Sequence, residues 1–277
     1  MRVAVVCSLA ILIGAAIATT AQPAGVRLAL VNVPDDVLRP LLPLFEQQTK
    51  LRATIVYTGN DPFAVGRAGD ADLVISHYGH EGVEPFVTAG LGLWPKATLA
   101  NQMALMGPAS DPAHVRESRS LADAFRKIAA AKAAYVSNAS NGARYLEEIA
   151  TSSAGIARGS VFGAGELQNA AAVKAAADRG AYVIWGVPPF LQWKRQQSVE
   201  QATDIEPLMI DDSTLQRIMV SIVVNPKAVK GVNADGALKL QSFLLTPEIQ
   251  ARIAAFRYPD FNQQVWWPAG RHNSARE

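Results

Sequence analysis

The chain has 277 residues, 49% of them hydrophobic and 18% charged, enough apolar surface for one large domain or two lobes. Its formal net charge is +2, so no strong basic field is present to recruit nucleic acid or an anionic membrane. The single cysteine, Cys7, lies in the N-terminal apolar run, which excludes a disulfide framework for the remainder.

Arg2 gives a basic start, 3–17 is apolar and small, and Ala16, Ile17 and Ala18 or Thr19, Thr20 and Ala21 form a small-residue exit. These are the three parts of a secretory signal peptide, assigned to residues 1–21. The run is shorter than the roughly 20 residues a spanning helix needs. No cysteine follows the cleavage point to carry a lipid, so the expected product is cleaved and periplasmic.

Strands and helices then alternate. Strands are expected at 27–33, 52–57, 72–76, 102–106, 134–137, 181–185 and 219–225, from short apolar or β-branched runs bounded by turn residues. Helices are expected from Pro34 onward through Phe45, at 84–89, at 121–131 behind Ser120, and at 143–150, 167–179, 233–245 and 247–256. Residues 58–62 read as a turn, and the Pro/Gly-rich stretch 107–112 as a linker. The alternation points to α/β lobes with mostly parallel sheets, where ligands bind beyond the carboxyl ends of strands.

Several segments resemble the periplasmic solute-binding proteins of ABC importers, most closely their tungstate-binding branch. They are 41–49 (LLPLFEQQT), 66–77 (GRAGDADLVISH), 86–90 (FVTAG), 106–113 (MGPASDPA), 224–226 (VNP) and 231–237 (GVNADGA). The resemblance implies a type II-like, two-lobed binding-protein fold, each lobe a mostly parallel sheet flanked by helices. Lobe 1 is expected at 26–107 with 219–268 and lobe 2 at 111–212, with hinges near 106–110 and 212–220.

The ligand loops depart from the family pattern. The hydroxyl-rich loop after the first strand is here Val31, Asn32, Val33, Pro34 and Asp35. The second anion loop keeps its serine as Ser137, but the family arginine is replaced by Asn138, leaving Arg144 as the nearest cation. A third loop keeps the glycines Gly163 and Gly165, and a fourth carries Trp185. The resemblance thus implies ligand contacts from Asn32, Thr58, Gly59, Ser76, His77, Ser137, Asn138, Asn141, Arg144, Gly163, Gly165 and Trp185, with Ser137 and Thr58 foremost.

His77, His80 and Glu81 form the only histidine cluster, and an i, i+3 pair supplies too few ligands for a zinc site. His77 is read as a strand-end residue lining the cleft. Trp266 and Trp267 are read as packing the tail onto a lobe. No nucleophile elbow or metalloprotease motif occurs, so no catalytic residue, metal or cofactor is expected. The resulting expectation is a monomeric, extracytoplasmic protein that is not an enzyme. It captures a small polar or anionic solute, a tungstate- or molybdate-like oxyanion among the options, and passes it to an ABC permease. Two other readings stay open: a ligand-sensing subunit for a membrane receptor, and a secreted enzyme on the same scaffold.

Overall fold

The computed structural model describes residues 25–31, 34–157, 166–198 and 203–273. Strand β1 (Gly25–Val31) leads to helix α1 (Asp35–Leu38), a 3₁₀ turn and helix α2 (Leu42–Thr49). Strand β2 (Arg52–Gly59) alternates exposed and half-buried residues, as an edge strand does, whereas β1 is largely buried. Helix α3 (Pro62–Ala68) follows where only a turn was expected: the Asp61 carboxylate caps it by accepting the Ala64 N–H at 3.0 Å, and Pro62 opens it. Strand β3 (Leu73–His77), helix α4 (Val83–Thr88) and the long strand β4 (Lys96–Pro108) come next.

Helix α5 (Leu121–Ala130) begins at Ser120, whose Oγ accepts the Asp123 N–H at 3.1 Å. Helices α6 (Asn141–Ala154) and α7 (Asn169–Arg179), strand β5 (Val183–Gly186), helix α8 (Val187–Arg195) and strand β6 (Ile205–Met209) complete the middle of the chain. Gly180, at φ +58°, ends α7 in the left-handed conformation that glycine tolerates. Strand β7 (Gln216–Val223), helices α9 (Ala234–Leu244) and α10 (Pro247–Ala255) and the short strand β8 (Trp266–Pro268) close the fold. Thr246 sits at the N-cap position of α10, but its hydroxyl donates backward to the Phe243 carbonyl.

The sheet runs β2-β1-β3-β7-β4-β5, with β6 and β8 also paired to β4. β4 joins two regions. Its residues Lys96 to Gln102 pair with β7, and Met103 to Met106 pair with β5. The chain crosses back between Met209 of β6 and Gln216 of β7. The two crossings flank the cleft described below, and the outgoing one changes partner at Gln102 and Met103, ahead of the expected 107–112 linker.

The sheet is mixed, not mostly parallel. Only β1–β2 and β1–β3 are parallel; β3–β7, β4–β7, β4–β5, β4–β6 and β4–β8 are antiparallel. For β4 and β7 the cause is topological: the strand that carries the chain out to β5 and β6 and the strand that brings it back lie side by side, so they run in opposite directions. The expected strand at 134–137 is reduced to a single bridge between Tyr135 and Tyr182.

Two buried contacts lock this arrangement. Asp72, fully buried, accepts the Arg27 N–H at 2.7 Å, the Arg27 guanidinium at 2.7 and 3.2 Å, and the Asn233 N–H at 2.8 Å. It ties β1 and β3 to the start of α9, which Asn233 caps by accepting the Gly236 N–H. Trp266, also fully buried, packs the tail beside β4. Helix α8 reaches the same side: Gln192 donates to Asp36 at 3.0 Å, and Arg195 pairs with Asp260 and stacks 4.9 Å over Tyr258.

Candidate functional site

The carboxyl ends of β1 and β3 open on a cleft of about 450 Å³. One side is Val31, His77, the turn through Glu81, and Asn60 just past β2; Asn101 and Met103 of β4 and Arg217 of β7 also line it. The facing wall is the start of α6 (Ser140 to Gly142), Asn169, Trp185, Gly186 and Pro189. Strand ends opposite helix starts are the usual setting for a ligand in an α/β fold.

Arg217 is the charge of this cleft. It lies on β7 directly across from Asn101 of β4. Its Nη1 donates to the Gly142 carbonyl at 3.1 Å, and a Cβ at Gly142 would approach that nitrogen to 3.0 Å, so the glycine makes room for the guanidinium. Burial pulls the Arg217 pKa below its ordinary value, although a guanidinium stays charged under any physiological condition. Among the described residues no carboxylate lies within ion-pairing distance of it.

A second positive feature meets it. α6 has fourteen residues, no acid in its first turn and no side-chain cap from Ser140. Its first N–H groups carry the positive end of the helix dipole at the cleft wall.

His77 is neutral here. Burial foremost, then Arg217 and His80, pull the His77 pKa down to about 3, and its Nδ1 has no hydrogen-bond partner among the described residues. His80 uses both ring nitrogens: Nδ1 accepts the Gly82 N–H at 3.0 Å, which leaves the proton on Nε2 to donate to the Asn60 carbonyl at 2.8 Å. A metal would have to break one of these bonds, and no cluster suited to a metal occurs among the described residues. Asn101, 3% exposed, also leaves its Oδ1 without a partner among them. Buried polar atoms of this kind mark a wall that a solute or water completes.

The sequence-derived set divides. His77, Asn141 and Trp185 line the cleft. Thr58 is an exposed residue of edge strand β2, and Gly59 lies under the Tyr57 ring; their neighbour Asn60 reaches the cleft instead. Ser76 is fully buried behind His77, as strand alternation requires. Ser137 turns away from the cleft and donates to Glu147. Asn138 is a fully buried bracket: Nδ2 donates to the Ile184 carbonyl, and Oδ1 accepts the N–H groups of Ser140 and Asn169, which holds those two residues at the wall. Arg144 is exposed on α6 and absent from the lining, so the charge expected from it comes from Arg217. Asn32, Gly163 and Gly165 lie outside the described residues, as does the expected signal segment.

Glu147 explains why Ser137 is occupied. Its buried carboxylate accepts from the Tyr135 hydroxyl at 2.8 Å, the Asn138 N–H at 3.0 Å and the Ser137 hydroxyl. Burial outweighs these donors and raises its pKa. A carboxyl raised in the fold contributes stability that is complete below its unfolded pKa and lost as pH climbs through the folded value. Urea unfolding across pH 4–8 is therefore expected to show a decline for wild type that Glu147→Gln lacks. Parallel pH profiles for the two proteins would refute this role.

The model for bacterial extracellular solute-binding proteins matches residues 26–257. The chain is 25% identical over 244 residues to the tungstate-binding protein TupA of Peptoclostridium acidaminophilum, covering 82% of this chain and 79% of that one. Its fold is similar to the tungstate-binding protein TupA from Desulfovibrio alaskensis G20, with TM-score 0.71 and 23% identity over 88% of this chain and 98% of that one. It is also similar to the structure titled as the tungstate ABC transporter from Geobacter sulfurreducens, with TM-score 0.68 and 23% identity over 85% and 100%.

Proposed function

The chain belongs to the bacterial extracellular solute-binding protein family, and from that premise we propose that it captures a small anionic solute in the cleft around Arg217 and delivers it to an ABC permease. One observation carries the choice of an anion: a half-buried guanidinium with no carboxylate at ion-pairing distance among the described residues, beside an uncapped helix start, in the cleft beyond the strand ends. Both features favour negative charge, and neither has another evident use. Tungstate, bound by the relatives named above, is one member of this class.

In this reading the protein works in the periplasm by binding and release, without bond chemistry. The division into 26–107 with 219–268 and 111–212 is part of the proposal. Its crossings are moved to Gln102/Met103 and to 210–216, where the strands change partner. The lobes close about these crossings.

A thermal-shift screen tests the reading. Tungstate, molybdate, sulfate, phosphate and small carboxylates are compared with neutral sugars and amino-group cations. At a concentration 100-fold above Kd, a solute that binds only the folded state adds about 2.7 kcal/mol. That corresponds to a rise of roughly 5–10 °C for a chain of this size. At least one anion is expected to reach it; a response only to neutral or cationic solutes overturns the proposal.

A further inference from the structure

The cleft has two unlike faces. The polar face is Arg217, the start of α6 and the amides around it. The other is Trp185, with Val31 and Pro189 beside it. Trp185 is 8% exposed, and the sheet holds it through the pairing of Ala104 on β4 with Trp185 on β5. It is therefore a rigid wall, set by the sheet before any solute arrives.

An apolar wall discriminates among anions. A tetrahedral oxyanion carries oxygen on every side, and each oxygen that leaves water needs a donor in exchange. Pressed between Arg217 and Trp185, such an ion is served on one side and stripped of water on the other. A solute with its charge at one end and a flat apolar body at the other meets both walls favourably.

Charge and size point the same way. Arg217 is the one arginine or lysine among the described residues lining the cleft, His77 is neutral, and Glu81 adds a carboxylate at the exposed rim. A dianion would meet one fixed positive charge and one negative one; a monoanion is matched by Arg217 alone. A four-oxygen ion occupies on the order of 120 Å³, taking about 30 Å³ per oxygen as for a water. The cleft of about 450 Å³ is within the range that holds organic ligands.

Resting on the anion reading above, we infer that the cleft takes an organic monocarboxylate whose carboxylate pairs with Arg217 and whose flat apolar body lies against Trp185.

Isothermal titration calorimetry on the protein tests this with four probes: benzoate, acetate, sulfate and tungstate. Benzoate is expected to bind at least tenfold more tightly than each of the others, with a negative heat-capacity change from apolar burial. Trp185→Ala is expected to weaken benzoate at least tenfold and leave acetate unchanged, while Trp185→Phe, which keeps a flat face, stays within about threefold of wild type. Should Trp185→Ala fail to fold, the wild-type panel and Trp185→Phe still decide. Tungstate or sulfate binding more tightly than benzoate overturns the organic assignment and leaves the anion reading standing. Acetate matching benzoate, or benzoate binding that ignores Trp185→Ala, removes the role of the apolar wall. Binding of none of the four, with neutral solutes active in the thermal screen, brings down the anion reading itself.

Discussion

Replacing Arg217 with methionine is expected to remove anion binding while raising the melting temperature of the unliganded protein. The guanidinium is half-buried, its pKa is pulled down by burial, and its one hydrogen bond among those described goes to a neutral carbonyl. A cation held this way costs desolvation energy that the fold does not recover by itself. The solute returns it: losing one partner of a buried, hydrogen-bonded charge pair typically costs about 2–5 kcal/mol of binding, or roughly 30- to several-thousand-fold in Kd. Methionine fills the same strand position without charge. Calorimetry with the best anion gives the first quantity, and a thermal melt without solute gives the second. Retained affinity in Arg217→Met would mean that the start of α6 suffices. Arg217→Lys should lie between the two, because an ammonium keeps the charge and loses the planar fork.

Asp72→Ala is expected to destabilise the fold by about 3–5 kcal/mol, the range for removing one partner of a buried ion pair. The carboxylate is fully buried, while the Arg27 side chain is 28% exposed. Its removal leaves two backbone N–H groups, of Arg27 and Asn233, without an acceptor where β1, β3 and α9 meet. Arg27→Ala should cost less, since its exposed part is bound more weakly and the two N–H bonds to Asp72 persist. Urea unfolding at neutral pH measures both. A loss below 1 kcal/mol for Asp72→Ala would show that water replaces the carboxylate and that this node is not what joins the three elements. Ligand affinity is expected to change little, because Asp72 does not line the cleft.

Asp72 also shows how much could be read beforehand. It is the last acid of the GDAD segment, one of the stretches that carried the family resemblance, and its role proves architectural. The family match covers 26–257. Residues that act through local chemistry were legible. Ser120 is a helix cap because a serine oxygen reaches the N–H three residues on, and Gly180 ends a helix because it tolerates positive φ. Helix α3 was missed although its Asp61-Pro62 start is equally local, because residues 58–62 were read as a turn.

The site was legible in part. His77 and Trp185 lie at strand positions where alternation directs them to the cleft, and Asn141 opens a helix facing it. Ser137 holds a family-like position, yet a buried carboxylate ten residues on, Glu147, captures its hydroxyl. Arg217 was overlooked because it lies on the returning strand β7, far in sequence from every expected ligand loop. A lone cation at the head of an apolar strand, before Met219 to Val224, was the one available sign.

By itself, then, the sequence determined the family, the alternation of elements and the helix ends at Ser120 and Gly180, because each depends on neighbours a few residues apart or on a pattern that needs no fold. The tertiary structure alone decided that the returning strand lies antiparallel to the outgoing one. It also decided that Arg217 rather than Arg144 faces the cleft, and that Trp185 faces it as an apolar wall. Those outcomes depend on which strands pair across more than a hundred residues, as Asn101 does with Arg217, and on which polar groups burial leaves without a partner.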